Sequence, residues 1–265
     1  MTGVASGTPP LIEARGLAIG YGRRTVAHDI DMSLGAGEVV CLLGPNGSGK
    51  TTLFKTLLGL IARLGGSIAI DSRPIEAWPP QQLARRLAYV PQATLSAFPY
   101  RVLDMVLMGR TARLGLFSAP GEADRAQAWA ALERLGIAHL AGEAYTRISG
   151  GQRQLALIAR ALAQEAPAIV MDEPTASLDF GNQALVLREV ARLASSGLGV
   201  VLSTHHPDHA FAVGSRVLLL HDGRVIADGP PRQVLTRARL ERVYGVAVTI
   251  DTHSDGRISC APLLG

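Results

Sequence analysis

Several features are scarce in this 265-residue chain, and some of these absences exclude a class of protein. Two cysteines are too few for a disulfide framework. Aromatic residues make up 5% of the chain, and only Lys50 and Lys55 among its 26 cationic residues are lysines. The apolar runs are far shorter than the roughly 20 residues that a membrane span needs. The first ten residues lack the basic and apolar stretches of a secretory signal, so we expect a cytoplasmic protein.

The formal net charge of +4 raises the question of a nucleic-acid partner. The arginines, however, are scattered along the chain and are not gathered into a stripe with interleaved aromatic residues. We therefore expect a solvated basic surface and no nucleic acid. Cys41 lies within an apolar run, which favours a buried thiol without a chemical role.

Short apolar runs alternate with longer helical patterns, which predicts an α/β fold with a mixed sheet flanked by helices. Several of these runs are unbroken, as is typical of strands buried on both faces. The predicted strands are residues 11–18, 39–43, 87–90, 168–171, 200–203 and 217–221.

The stretch from residue 94 to residue 165 has a different pattern. Trp129, Leu132 and Leu135 fall at helical spacing, and no strong strand signal precedes Ala168. We predict one domain over residues 1–265, with a core formed by residues 11–93 and 166–240 and a helical subdomain inserted at 94–165. Turn signals at residues 222–223 and 255–256, with short strand-like pieces between, suggest a small closing element at 241–265.

A glycine-rich run stands directly after the predicted strand 39–43 and before a helical pattern, which is the context of a phosphate-binding loop. Its glycines let backbone N–H groups face phosphate oxygens, and the helix adds the positive end of its dipole. We predict that Lys50 reaches the β- and γ-phosphates, that Thr51 binds Mg²⁺ and that Thr52 steadies the α-phosphate. The predicted nucleotide-binding residues are Gly44, Pro45, Asn46, Gly47, Ser48, Gly49, Lys50, Thr51 and Thr52.

Two acids, Asp172 and Glu173, follow the apolar strand 168–171. Ligands bind at the carboxyl edge of such a sheet, which places both carboxylates beside the phosphate loop. We predict that Asp172 holds Mg²⁺ through water and that Glu173 polarises the attacking water as general base. The alternative interpretation is a helix cap followed by an ordinary surface acid.

A second glycine motif, Ser149, Gly150, Gly151 and Gln152, precedes an amphipathic run at 153–164. This order places the motif at a helix N-terminus, where phosphate can bind. Because the chain already has one phosphate loop, a second anion site suggests the nucleotide of a second subunit.

Together these motifs resemble the ABC ATPase family over residues 11–240, with Ile148 where the family's signature usually begins with leucine. The resemblance implies the ABC ATPase fold, a P-loop NTPase core with an inserted helical subdomain, and ATP and Mg²⁺ as cofactors. It also implies that Tyr21 stacks on adenine and that Gln92 contacts the metal and joins the nucleotide to the helical subdomain.

The resemblance further implies a head-to-tail homodimer that encloses two ATP molecules. Each ATP would lie between residues 44–52 of one subunit and 149–152 of the other, and Asp179 would belong to a loop that crosses the interface. Lys50 would neutralise charge while Glu173 and His205 align the water. His205 is the implied switch histidine, and His206 stays an alternative.

Residues 98–110 and 177–183 resemble bacterial and archaeal importers for iron-siderophores, haem and cobalamin, a branch with some oxyanion carriers. The resemblance implies integral-membrane permease subunits, an external substrate-binding protein, and a position on the cytoplasmic face of the inner membrane. A soluble ABC ATPase for repair, translation or cofactor assembly is the main alternative, although such proteins usually carry a coiled-coil insertion or tandem ATPase domains. A nucleic-acid-binding module and a metabolic kinase are the remaining alternatives, and a kinase has no use for the second glycine motif.

Overall fold

The computed structural model describes residues 9–92, 98–115, 118–176 and 178–263. Its strands are β1 Ile12–Tyr21, β2 Arg24–Leu34, β3 Val39–Leu43, β4 Gly65–Ile70, β5 Arg73–Pro74, β6 Leu87–Val90, β7 Ala168–Met171, β8 Gly199–Thr204, β9 Arg216–His221, β10 Arg224–Gly229, β11 Val248–Thr252 and β12 Ile258–Pro262. Its helices are α1 Lys50–Leu57, α2 Pro80–Ala84, α3 Val102–Leu107, α4 Glu122–Arg134, α5 Gly150–Ala163, α6 Phe180–Ser195, α7 Pro207–Val213, α8 Pro231–Val234 and α9 Arg237–Tyr244.

A six-stranded mixed sheet forms the centre of the fold, in the order β10-β9-β3-β8-β7-β6. Every pairing is parallel except that of β10 with β9. The strands β3, β7 and β8 are buried along their whole length, as their unbroken apolar runs predicted. Side chains alternate along β3, so Cys41 packs into one apolar cluster and Leu42 into another on the opposite face. The expected α/β fold with a mixed sheet is confirmed.

A second, antiparallel sheet covers one face of the first, in the order β2-β1-β4-β5. The strand predicted at residues 11–18 lies here as β1, outside the central sheet. The long strand β2 was not predicted, because polar residues such as Asp29 and Asp31 interrupt it and it contains no unbroken apolar run. Helix α1 packs between the two sheets through Leu53, Phe54 and Leu57.

Helices α3, α4 and α5 pack on one another and on the opposite face of the central sheet. Within the described part of residues 94–165, the only β-type pairing is an isolated bridge between Arg101 and Ala144. Helical spacing predicted α4 well, but Trp129 is 41% exposed whereas Leu132 and Leu135 are buried. The division into a core and a helical subdomain stays a prediction.

The chain ends in a β-hairpin, β11 paired with β12, that turns at the predicted Asp255-Gly256 position. Gly256 has φ +82°, a conformation that favours glycine. The tail pattern predicted only strand pieces, and the helices α8 and α9 are a correction to it. Both are short, and their apolar residues are too few to give a helical period in sequence.

Candidate active site

The loop between β3 and α1 turns sharply where the sequence predicted a phosphate-binding loop. A Cβ added at Gly44 would lie 2.3 Å from the Leu220 carbonyl oxygen, and one at Gly49 would lie 2.9 Å from a Val26 methyl. A Cβ at Gly47 would meet nothing within 4 Å. The two tight glycines therefore fix the path of the loop, while the loop's tip opens to solvent.

Lys50 is buried at the first position of α1, and its ammonium donates to the carbonyl oxygens of Gly44 (2.8 Å) and Pro45 (3.1 Å). Burial lowers the pKa of Lys50, and the carboxylates of Glu173 and Asp172 oppose that shift. Its Nζ lies 3.9 Å from Oε1 of Glu173. The structure thus brings together the predicted cation and the predicted general base.

Asp172 and Glu173 follow β7 at the carboxyl edge of the sheet, next to the end of β8. The Ser203 hydroxyl donates to Oδ1 of Asp172 (2.8 Å) and accepts the Glu173 N–H (2.9 Å). Glu173 has φ +46°, a conformation that is rare for residues other than glycine. Such a backbone outlier is common at active sites, where the surrounding structure holds it.

The residues around the phosphate loop fit a nucleoside triphosphate and Mg²⁺. The Ser48 hydroxyl oxygen is buried and has no hydrogen-bond partner in the described part of the chain. Thr51 is exposed at the start of α1, and the Asp172 carboxylate keeps one oxygen outside its hydrogen bond with Ser203. Hydroxyl and carboxylate oxygens are the ligands that Mg²⁺ prefers.

His205 follows β8 and lies beside Glu173, with its Nδ1 3.7 Å from Oε2. That nitrogen is buried without a hydrogen-bond partner among the described residues. His206 is exposed, and the centroid of its ring lies 4.1 Å from that of the His205 ring, with the two rings tilted by 41°. The position of His205 matches the predicted switch role, which itself stays a prediction.

His209 lies behind this pair and is buried on α7. Thr204 Oγ1 accepts the His206 N–H (3.1 Å), so its own hydrogen can be donated to Nδ1 of His209 (3.0 Å). Burial, together with the His206 and His205 rings, lowers the pKa of His209 to about 4. The ring is therefore neutral at physiological pH and serves as a structural hydrogen-bond acceptor.

Ser149 and Asp179 cap the N-termini of α5 and α6. Ser149 and Gln152 form a reciprocal capping box, and Asp179 accepts the Asn182 N–H (2.8 Å). Both caps are exposed. Among the hydrogen bonds and ion pairs of the described residues, none joins residues 149–152 to the phosphate loop. The neighbouring Ser177 lies outside the described residues.

The other predicted contacts lie at the surface near the site's edge. Gln92 follows β6 at the carboxyl edge that also carries Asp172, because β6 pairs with β7 up to Val90 and Met171. Tyr21 ends β1 and is 52% exposed. Both side chains are available to a ligand, and their roles stay predictions.

Ser203 and Thr204 are polar residues of this region that were not predicted as functional. They end an otherwise apolar strand at the carboxyl edge, and this position could have identified them.

A family model described as ABC transporter matches residues 27–176. An uncharacterised ABC transporter ATP-binding protein of Haemophilus influenzae is 44% identical, over 88% of this chain and 89% of the relative. The hemin import ATP-binding protein of Nocardia farcinica is 40% identical, over 91% and 85%. A manganese transport system ATP-binding protein of Listeria innocua is 34% identical, over 88% and 95%.

Two solved structures share the fold. One, a transporter described as of metal-chelate type in an inward-facing conformation, is 33% identical, with a TM-score of 0.84 over 96% of this chain and 98% of that chain. The other, a dimeric bacterial ABC transporter cassette, is 26% identical, with a TM-score of 0.73 over 83% and 99%. No helix in the described part of this chain is long and apolar enough to span a membrane. The chain therefore belongs to the ABC transporter family, as one of its ATP-hydrolysing, ATP-binding subunits.

Proposed function

We propose that this chain powers an importer by closing as a homodimer around two ATP molecules. The observation that carries this proposal is an incomplete site. Lys50, Asp172, Glu173 and His205 converge on the phosphate loop, whereas the exposed Ser149 cap makes no hydrogen bond or ion pair with that loop in the described chain. In a head-to-tail dimer the partner's Ser149 would supply the missing side of the nucleotide.

An exposed aromatic residue beside Asp179 supports an interface at the start of α6. Phe180 follows Asp179 and is 88% exposed, which is unusual for an aromatic side chain. Exposed apolar groups of this kind mark interaction sites. The dimeric cassette described above has the same fold as this chain.

In the proposed reaction the protein mainly positions ATP and stabilises charge. Lys50 would exchange its Gly44 and Pro45 carbonyl partners for β- and γ-phosphate oxygens. Glu173 would accept a hydrogen bond from the attacking water, and His205 would contact the γ-phosphate. Thr51 and Asp172 would hold Mg²⁺, which neutralises phosphate charge when bound.

A surface groove of about 630 Å³ is the proposed docking site for a permease helix. Apolar side chains line it, among them Leu60, Ile75, Leu83 and Met108, and two of these are well exposed, Leu60 at 61% and Met108 at 41%. An amphipathic helix can bury its apolar face in such a groove. The groove lies between the end of α1, at Thr56, and residues 108–109, which follow α3. Movement of either side would therefore be transmitted to the bound helix.

The proposed cargo is an iron-siderophore, haem, cobalamin or a related metal chelate or oxyanion. The resemblance of residues 98–110 and 177–183 supports this class, and so do the relatives named for hemin import and of metal-chelate type. The permease and an external binding protein would select the cargo. The subunit would then lie on the cytoplasmic face of the inner membrane, held there by the permease.

The test is affinity purification of the tagged Glu173→Gln chain with ATP from detergent-solubilised membranes of the source organism. A polytopic permease should co-purify, and Leu60→Asp should abolish its recovery. Leu263→Asp is the matched control, because Leu263 is 53% exposed and does not line the groove. Recovery of soluble partners alone would favour the soluble ABC ATPase instead.

A further inference from the structure

The C-terminal hairpin packs directly on α7, the helix that follows the histidine pair. The N–H of Cys260 on β12 donates to Oδ1 of Asp208 on α7 (2.6 Å). Ile250 and Cys260 of the hairpin pack, with Phe211 of α7, against the apolar cluster on this face of the central sheet. The hairpin is therefore joined to α7 by a hydrogen bond and by apolar contact.

The residue after α7 lies tightly against β3, the strand that leads into the phosphate loop. A Cβ added at Gly214 would lie 2.9 Å from Sγ of Cys41 on β3 and 2.7 Å from the Ala210 carbonyl oxygen. Helix α7 also contacts α6, α8 and β8, so the hairpin is one of several elements that fix its position.

The first turn of α7 is linked to the catalytic edge. The Thr204 hydroxyl at the end of β8 is hydrogen-bonded to both the His206 N–H and Nδ1 of His209. These two bonds hold residues 204–209 in one arrangement, and His205 lies within this segment. The Thr175 hydroxyl also lies 3.5 Å from His209. A shift of α7 would therefore move the His205 ring relative to Glu173.

We propose that the C-terminal hairpin, β11 with β12, is a brace for the ATPase site, with Asp208 as the positioning residue. Asp208 sets the distance between His205 and Glu173 by fixing α7 to the hairpin. This inference rests on the proposed roles of Lys50, Glu173 and His205.

The test compares variants of the purified full-length chain by steady-state ATP hydrolysis. Asp208→Ala should lower kcat on the order of five-fold with KM nearly unchanged, because one hydrogen bond that aligns the site is lost. Asp208→Asn should restore turnover, because its amide oxygen can accept the Cys260 N–H. Asp251→Ala, at an exposed carboxylate of the same hairpin, should match the unaltered chain.

Wild-type kinetics in Asp208→Ala would overturn the brace, as would equal losses in Asp208→Ala and Asp251→Ala. Lys50→Ala separates the two proposals. If it still hydrolyses ATP, the proposed site is wrong. If it is inactive while Asp208→Ala is normal, only the brace is wrong.

Discussion

The Ser203 hydroxyl lies 2.8 Å from Oδ1 of Asp172, across two neighbouring parallel strands. The same hydroxyl accepts the Glu173 N–H at 2.9 Å. One buried side chain on β8 therefore orients the proposed metal-binding carboxylate and the backbone of the proposed general base.

Replacing Ser203 by alanine should reduce ATP turnover by roughly ten-fold or more, because a hydrogen bond to a charged group is worth about 1.5–3 kcal/mol. The loss should be partly recovered at high Mg²⁺ concentration if Asp172 has lost its orientation. Ser195→Ala is the control, since that exposed hydroxyl donates only to its own helix. Unchanged turnover in Ser203→Ala would show that Asp172 needs no such support.

Glu173→Gln should keep ATP binding and lower turnover by roughly a hundred-fold or more, the usual contribution of a general base. The amide preserves the shape of the carboxylate but cannot accept a proton from water. Binding of a fluorescent ATP analogue and release of phosphate measure the two effects separately. Glu143→Gln, at an exposed acid, should leave both unchanged. Normal phosphate release from Glu173→Gln would assign the general base to another group.

Ser149→Arg should prevent ATP-dependent dimers while leaving the monomer folded. A bulky cation would replace the cap that the proposed interface presents to the partner's nucleotide, and loss of the cap should cost only about 1 kcal/mol of stability. Light scattering in the Glu173→Gln background gives the oligomeric state, with Ser195→Arg as the control. Dimers that form equally well with Ser149→Arg would contradict the assignment of this motif to the partner's ATP.

Stability should fall as the pH drops from 7.5 to 5 because of His209. Its folded-state pKa of about 4 lies below the unfolded value near 6.5, so the unfolded chain binds the additional proton in this interval. The expected loss from His209 is about 2 kcal/mol, measured by urea unfolding at both pH values. His209→Asn should reduce the loss and His139→Asn, at an exposed ring, should not. An equal loss in both variants would mean that other groups cause the pH dependence.

The parts of the fold that were predicted are those whose sequence pattern directly reflects burial. The unbroken apolar runs of β3, β7 and β8 identified strands covered on both faces, and the glycine loop was placed by the strand and helix around it. Strand β2 was missed because one side of it faces solvent and its polar residues leave no unbroken apolar run.

The candidate site was predictable where chemistry is concentrated in a short motif, as in residues 44–52 and at Asp172 and Glu173. The supporting groups depend on tertiary contacts. Ser203 reaches Asp172 because β8 pairs with β7, and Asp208 accepts the Cys260 N–H because the C-terminal hairpin packs on α7. No local pattern in the sequence indicates either contact.

The most direct measurement of the central claim is the mass of the Glu173→Gln chain by light scattering, with and without ATP and Mg²⁺. A closed ATP sandwich predicts a shift from the 27.9 kDa of one chain to about twice that mass, dependent on ATP and reversed when ATP is removed. A mass that stays at one chain at saturating ATP would contradict the homodimer and the shared nucleotide site on which the account rests.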